Sequence, residues 1–168
     1  GLDMLMAYAV GADTEQVVEA TQDLIGRGCG VVFVDYVQAV RVDLKVSRYD
    51  KAIGDVAKRL KGLCHRSEVP LVLGSQVRRP SGDPFAEPHL TALKETGDLE
   101  NEAECVLLLW KDSDDVGHRV FGKVAKLKTG PAGQRFELVR EGGIVRDVEL
   151  RSRDETKGES SKGGRAWA

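Results

Sequence analysis

Apolar positions recur along this chain at two spacings, and the switch between them marks out its elements. After Asp13, the residues Val17, Val18, Thr21, Leu24 and Ile25 share one helical face, and Asp13 with Gln16 forms a capping pair at the start. The glycine-rich stretch GRGCG ends that helix. Over residues 49–67 the helical spacing returns. Tyr49, Ile53, Val56, Ala57, Leu60, Leu63 and Cys64 line one side, and Lys51, Asp55, Lys58, Arg59 and Lys61 face out. Residues 31–34 are instead a continuous apolar run bounded by turn residues, and PLVLGSQ, 70–76, which ends in polar residues, and ECVLLLW, 104–110, read as further buried strands. Short runs of that kind suit strands covered on both faces, as in a parallel sheet. Residues 120–127, 135–140 and 144–149 alternate more and are joined by glycine-rich turns, which predicts antiparallel strands or a hairpin.

Strand, helix, strand, loop and strand in that order predict an α/β domain with a mostly parallel sheet. Ligands of such sheets sit at the carboxyl ends of the strands. Asp35, closing the run VVFVD, and Gln76, closing PLVLGSQ, both fall at such ends. Between the second and third strands runs a polar loop, residues 77–88, with Arg78, Arg79, three prolines and a glycine. From residue 151 the chain is Gly, Ser and charge with almost nothing apolar before Trp167, the composition of a disordered tail. No internal repeat is present.

Composition narrows this picture only modestly. At 168 residues, 41% apolar and 31% charged, the chain can bury the core of one ordinary globular domain. A net charge of -2 provides no overall basic field, so any nucleic-acid surface has to be local. Cys29, Cys64 and Cys105 lie far apart in apolar contexts and read as buried free thiols, which fits a reducing cytoplasm. His65, His89 and His118 are scattered and imply no metal site. The N-terminal GLDMLMAYAV is too short for a membrane span and lacks the basic leader of a signal peptide. It has no initiator Met and reads as the middle of an element, so we expect a piece of a longer protein.

Asp35 carries two readings on pattern alone. A strand-end carboxylate either caps the following turn or holds a magnesium ion through its water shell beside a nucleotide phosphate. Gln76 is a neutral amide able to donate and accept together. It is either a polar residue leaving the sheet or a group that senses a phosphate and signals to the loop behind it.

Four stretches taken together resemble the replicative DnaB-type helicases. VVFVDYVQAV looks like their Walker B strand, which ends in Asp-Tyr-x-Gln. VPLVLGSQVRRP is similar to the next motif, an apolar strand ending in Ser-Gln with a basic residue close behind. PHLTALKETGDLENEAECVLLLWKDS resembles the Leu-Arg-Glu-Ser-Gly segment, its acidic stretch and the following strand. AKLKTGPAG looks like the Lys-x-Arg-x-Gly-Pro-x-Gly hairpin. The motifs keep the family order over residues 31–138.

The resemblance implies a RecA-like fold: a mostly parallel sheet with flanking helices and a C-terminal antiparallel hairpin extension. Residues 1–150 would then be a partial RecA-like motor domain. It implies a ring, a hexamer in the family, that binds ATP between subunits and moves along single-stranded DNA, with primase or a helicase loader as further partners. Asp35 would organise magnesium through water, and Gln76 would couple the phosphate to the DNA loop. Lys126 and Lys128 would reach the neighbouring subunit's ATP, where a cation stabilises charge on the transferred phosphoryl group. Lys94, Glu95 and Gly97 match the Arg, Glu and Gly of the DNA-binding segment, and Arg78 adds positive charge ahead of it. Phe85 is the one aromatic in that loop, so base stacking is not indicated.

Three departures matter. Lys128 stands where the family offers an arginine finger, and Lys lacks the planar fork of Arg. Lys94 likewise replaces Arg. No G-x-x-x-x-G-K-[ST] occurs, and the family's upstream catalytic Glu has no counterpart. A phosphate cradle needs that glycine-rich backbone and its Lys, so these residues alone are expected to hydrolyse almost no ATP. Truncation explains this, and so does a natural degenerate paralogue. Two other readings stay open. One is a recombinase or clock-type ATPase of the RecA fold. The other is a non-catalytic DNA-binding or ring-assembly protein.

Overall fold

The computed structural model describes residues 4–7, 10–43, 48–78, 82–96, 99–111, 119–141 and 144–147. They divide into two compact units, residues 1–79 with 90–103, and residues 80–89 with 104–168.

The first unit is built on helix α1, Thr14–Gly26, and helix α2, Tyr49–Arg66. Asp13 caps α1 as its spacing predicts. Its carboxylate accepts the Gln16 N–H at 3.0 Å, and the Gln16 side chain accepts the Asp13 N–H at 3.0 Å. Two of the free donors at the helix start are thereby satisfied. At the far end Gly28 takes φ +85, while Gly28 N–H donates to Ile25 O and Cys29 N–H donates to Leu24 O. That left-handed turn suits glycine and uses up the last carbonyls.

The buried face of α2 follows the predicted stripe at Ile53, Val56, Ala57, Leu60, Leu63 and Cys64, whereas Tyr49, predicted on the same side, is exposed at the first residue of the helix. Ile53, Val56, Ala57 and Leu60 pack with Val37, Val40 and Leu99 into the core, ringed by Val17, Val18, Val34, Val42, Leu71 and Leu73. Each fully buried Val, Leu or Ile among them contributes about 1.5–3 kcal/mol by leaving water. Arg59 of α2 grips Glu15 of α1 outside that core.

Strands β1, Val32–Val34, and β2, Leu71–Leu73, pair in parallel, with Val32 opposite Leu71 and Val34 opposite Leu73. This is the expected parallel sheet edge. Only one of its faces is covered, however: Phe33 is 69% exposed and its partner Val72 47%. A 3₁₀ turn, Val37–Ala39, follows β1, a longer 3₁₀ segment spans Leu90–Thr96, and the short helix α3 covers Leu99–Glu102.

The second unit is a four-stranded antiparallel sheet in the order β3-β4-β5-β6, running Cys105–Trp110, Arg119–Leu127, Arg135–Glu141 and Ile144–Asp147. It contains the predicted C-terminal hairpin. Strand β3 differs from its expectation of burial on both faces: Val106 and Leu108 are buried, but Leu107 and Leu109 are 56% and 53% exposed. It pairs with β4 antiparallel. An unbroken apolar run cannot reveal that only alternate residues are covered.

Cys105, on the same parity as Leu107 and Leu109, is exposed rather than buried; Cys29 is half-buried and Cys64 buried. Burial pushes the Cys64 thiol up, with a smaller push from Cys29. Trp110 stacks on its cross-strand partner Phe121 with ring centroids 5.9 Å apart. Phe136 lies over Gly122, where a Cβ would strike its ring. The tail from residue 151, His118, Arg79 and Gly97 lie outside the described residues, as do the side chains of Lys94 and Glu95. No helix among the described residues is long and apolar enough to cross a membrane.

Candidate functional site

The carboxyl ends of β1 and β2 are stitched together beyond the strands themselves. Gly74 N–H donates to Val34 O at 2.8 Å, and Val37 N–H donates to Gly74 O at 3.0 Å. The backbones approach so closely at Gly74 that a Cβ there would sit 3.1 Å from Val34 O and 3.5 Å from Asp35 Oδ1. Glycine gives that approach its room, since a Cβ would make the Val34 carbonyl shift by a few tenths of an ångström. The Asp35–Tyr36 peptide in this bend is cis.

Asp35, Tyr36, Gly74, Ser75 and Gln76 line one open concavity of about 430 Å³ at this edge. The two sequence-predicted residues of the parallel edge, Asp35 and Gln76, are thus brought together, and both are exposed to it. The 3₁₀ turn after β1 has Tyr36 at its N-cap position and no side-chain cap bond. Asp35 therefore does not cap that turn.

Magnesium is held by one or two carboxylates, with water and phosphate oxygens completing its shell. A single exposed carboxylate on an open concavity fits that water-mediated role. Among the described residues no group of three or more His, Cys, Asp or Glu could hold a metal by itself.

Two contributors carry no assignment from sequence. Gln38 donates from Nε2 to Ser75 Oγ and to Gln76 O, both at 3.0 Å, and its Oε1 accepts the Gln76 N–H at 3.1 Å. Its position as the last residue of Asp-Tyr-x-Gln is a visible signal; its partners are not. The other is Glu104. Lys128 Nζ donates to Glu104 Oε1 at 2.8 Å, and Lys128 N–H donates to Glu104 O at 2.9 Å.

Lys126 and Lys128 belong to the second unit. The register of β3 against β4 shifts between Val106 and Leu107, with Val106 opposite Lys126 and Leu107 opposite Val124, so Ala125 is the extra residue of a bulge. A bulge re-aims the side chains beyond it, and Lys126 and Lys128 are the next cations along. The turn that follows, with Gly133 at φ +102, returns the chain to β5.

Glu87, in the loop of the same unit, is clasped by Lys123 at 2.6 Å and by Arg135 at 2.9 Å. The Lys123 ammonium, and after it the Arg135 guanidinium, hold its carboxyl below the usual range. Arg78 is exposed at the start of the loop that leads there, and Lys94 and Glu95 lie on the 3₁₀ segment.

A parallel strand pair backed by helices, with an acid and an amide at its carboxyl edge, is the arrangement of a RecA-like core. The chain belongs to the DnaB-like helicase C terminal domain family, which it matches over residues 6–142. It is 27% identical over 103 residues to the replicative DNA helicase DnaB of Treponema pallidum (strain Nichols), covering 61% of this chain and 23% of that protein. It is also 28% identical over 167 residues to the RecA protein of Aquifex pyrophilus, covering 89% of this chain and 48% of that one. Among solved structures, a DnaB-like replicative helicase studied for its interactions with primase superposes with a TM-score of 0.63. That match has 23% identity and covers 77% of this chain and 33% of that one. A second solved structure, an ATPase domain, gives a TM-score of 0.63 at 23% identity over 77% of this chain and 48% of its own. At that identity the structural likeness speaks to the fold. The chain spans between 23% and 48% of the length of these two sequence relatives.

Proposed function

We propose that these residues form part of the motor of a ring-forming replicative helicase, which uses ATP and magnesium to move along single-stranded DNA and unwind duplex. The observation that carries this reading is the shared concavity of Asp35, Ser75 and Gln76 at the carboxyl edge of the parallel pair in a chain of the DnaB-like family. Asp35 would hold magnesium through water, and bound magnesium would neutralise charge on the phosphate oxygens. Gln76, with both an amide donor and an acceptor, reads a phosphate oxygen or the water beside it.

Lys126 and Lys128 serve the ATP of the neighbouring subunit in the ring. The Lys128–Glu104 pair supports a cation kept extended in one geometry, while its point charge makes it a weaker finger than Arg. Arg78 and the segment carrying Lys94, Glu95 and Gly97 follow the phosphates of single-stranded DNA, a contact that does not read sequence. A hexameric ring, with primase or a loader docking on it, completes the assembly.

The likeness to RecA over 89% of this chain favours one second reading, a recombinase. A forked duplex with a single-stranded tail separates the two. The full-length protein with ATP and magnesium is expected to release the displaced strand, and Asp35→Ala to release none. Strand exchange with a homologous duplex, without unwinding of the fork, would establish the recombinase. DNA binding with neither activity would leave a non-catalytic protein.

A further inference from the structure

Gln38 sits on the 3₁₀ turn immediately behind Asp35, yet its side chain serves the other strand. Its amide faces both polar backbone groups of one residue, giving a hydrogen to Gln76 O and taking one from Gln76 N–H. An opposite strand makes that pair of bonds to a residue in an antiparallel ladder. One side chain here takes the place of a strand just where the parallel ladder has run out, since β2 ends at Leu73. The second amide hydrogen goes to Ser75 Oγ.

The arrangement suits an amide and no other side chain of that length. Glu has no donor for Gln76 O, Lys has no acceptor for Gln76 N–H, and Met has neither. The turn carrying Gln38 is packed into the core through Val37, 0% exposed, and Val40, 6% exposed, so it is displaced as a unit with the bend ahead of it. The backbone link from Val37 N–H to Gly74 O ties the same turn to the base of the Ser75–Gln76 segment. A displacement of the Asp35 bend therefore reaches the backbone of Gln76 by two routes, one through Gly74 and one through Gln38. Only the second acts on Gln76 itself, two residues before Arg78 and the loop behind it.

We propose that Gln38 is a positioning residue that makes the Asp35 bend and Gln76 move as one piece, so that a change at the phosphate is delivered to the loop at residue 77 onward. The proposal rests on the motor reading above. It assigns to Gln38 the coupling of nucleotide state to DNA, and it leaves nucleotide binding to other groups.

The test compares full-length wild type with Gln38→Met and Gln38→Glu. Three quantities are read: hydrogen exchange at the Gln76 amide, affinity for a fluorescent ATP analogue, and the ratio of ATP turnover with and without single-stranded DNA. Gln38→Met is expected to lose protection at Gln76 and keep nucleotide affinity. Its stimulation ratio should fall about two- to thirtyfold, the range of residues that carry coupling without touching ligand. Gln38→Glu keeps the acceptor and loses both donors. It is expected to retain protection at the Gln76 amide while its ratio falls. A ratio unchanged in Gln38→Met would overturn the proposal. So would a uniform fall in affinity and in both turnover rates that leaves the ratio intact, since that marks Gln38 as support for the fold alone. If wild type shows no DNA-stimulated turnover, the motor reading itself fails. A stimulated wild type beside an equally stimulated Gln38→Met sinks the positioning role alone.

Discussion

At Gly74 an added carbon would be tight on one side. A methyl group there would sit 3.1 Å from Val34 O, which must give by a few tenths of an ångström, and in ordinary contact with Asp35 Oδ1 and the Tyr36 Cβ. Gly74→Ala should therefore cost about 1–3 kcal/mol, as overpacking does, and should pull the two strand ends apart. Denaturant unfolding of the variant checks the first effect. A fall in nucleotide affinity larger than the stability loss explains checks the second.

Asp35 and Gln76 are legible as residues because each ends an apolar run, and a polar group in that position stands out. Gln38 is marked only by its place in Asp-Tyr-x-Gln, and Gly74 is not marked at all. The value of Gln38 comes from partners 37 and 38 positions away in sequence, and no local pattern encodes such a distance. Gly74 looks like an ordinary turn glycine until the neighbouring backbone is in place.

Among the elements, both long helices can be read directly, since capping and apolar spacing are local properties of the chain. The α2 stripe recovers every fully buried side chain of that helix. Strands are legible as strands but not as faces. Residues 104–110 are apolar at both parities, so burial on one face and on two look alike in sequence, and the pairing partner decides.

The polar loop of the second unit looks like solvated charge in sequence, yet Glu87 fastens it to β4 and β5 through Lys123 and Arg135. That clasp has a pH signature. Its carboxyl is held below the ordinary value, so the clasp contributes fully above the unfolded carboxyl's pKa of about 4.3. The contribution is lost as pH falls through the lower folded value. Melting temperature should thus drop more steeply in wild type than in Glu87→Gln below that point. Parallel melting curves across the acid range would show that the clasp contributes nothing. The effect should also shrink with added salt, because Arg135 is 62% exposed.

Across the whole molecule, four short motifs in order carry more than composition does. A net charge of -2 points nowhere, whereas motif order agrees with the family match over residues 6–142. Sequence is silent on how the acid and the cations cooperate. Asp35 and Lys128 belong to different units of the chain, and in a ring they would serve different nucleotides. A working motor requires Asp35 to be the acid of a nucleotide site and not a decoration of a strand end. Single-stranded-DNA-stimulated hydrolysis of ATP, measured on the full-length protein in magnesium beside Asp35→Ala, tests this most directly. Stimulated turnover is expected in wild type, with a loss of about a hundredfold or more in the variant, the scale of losing a main source of electrostatic stabilisation. A variant that hydrolyses ATP at the wild-type rate, with its DNA stimulation intact, would contradict it.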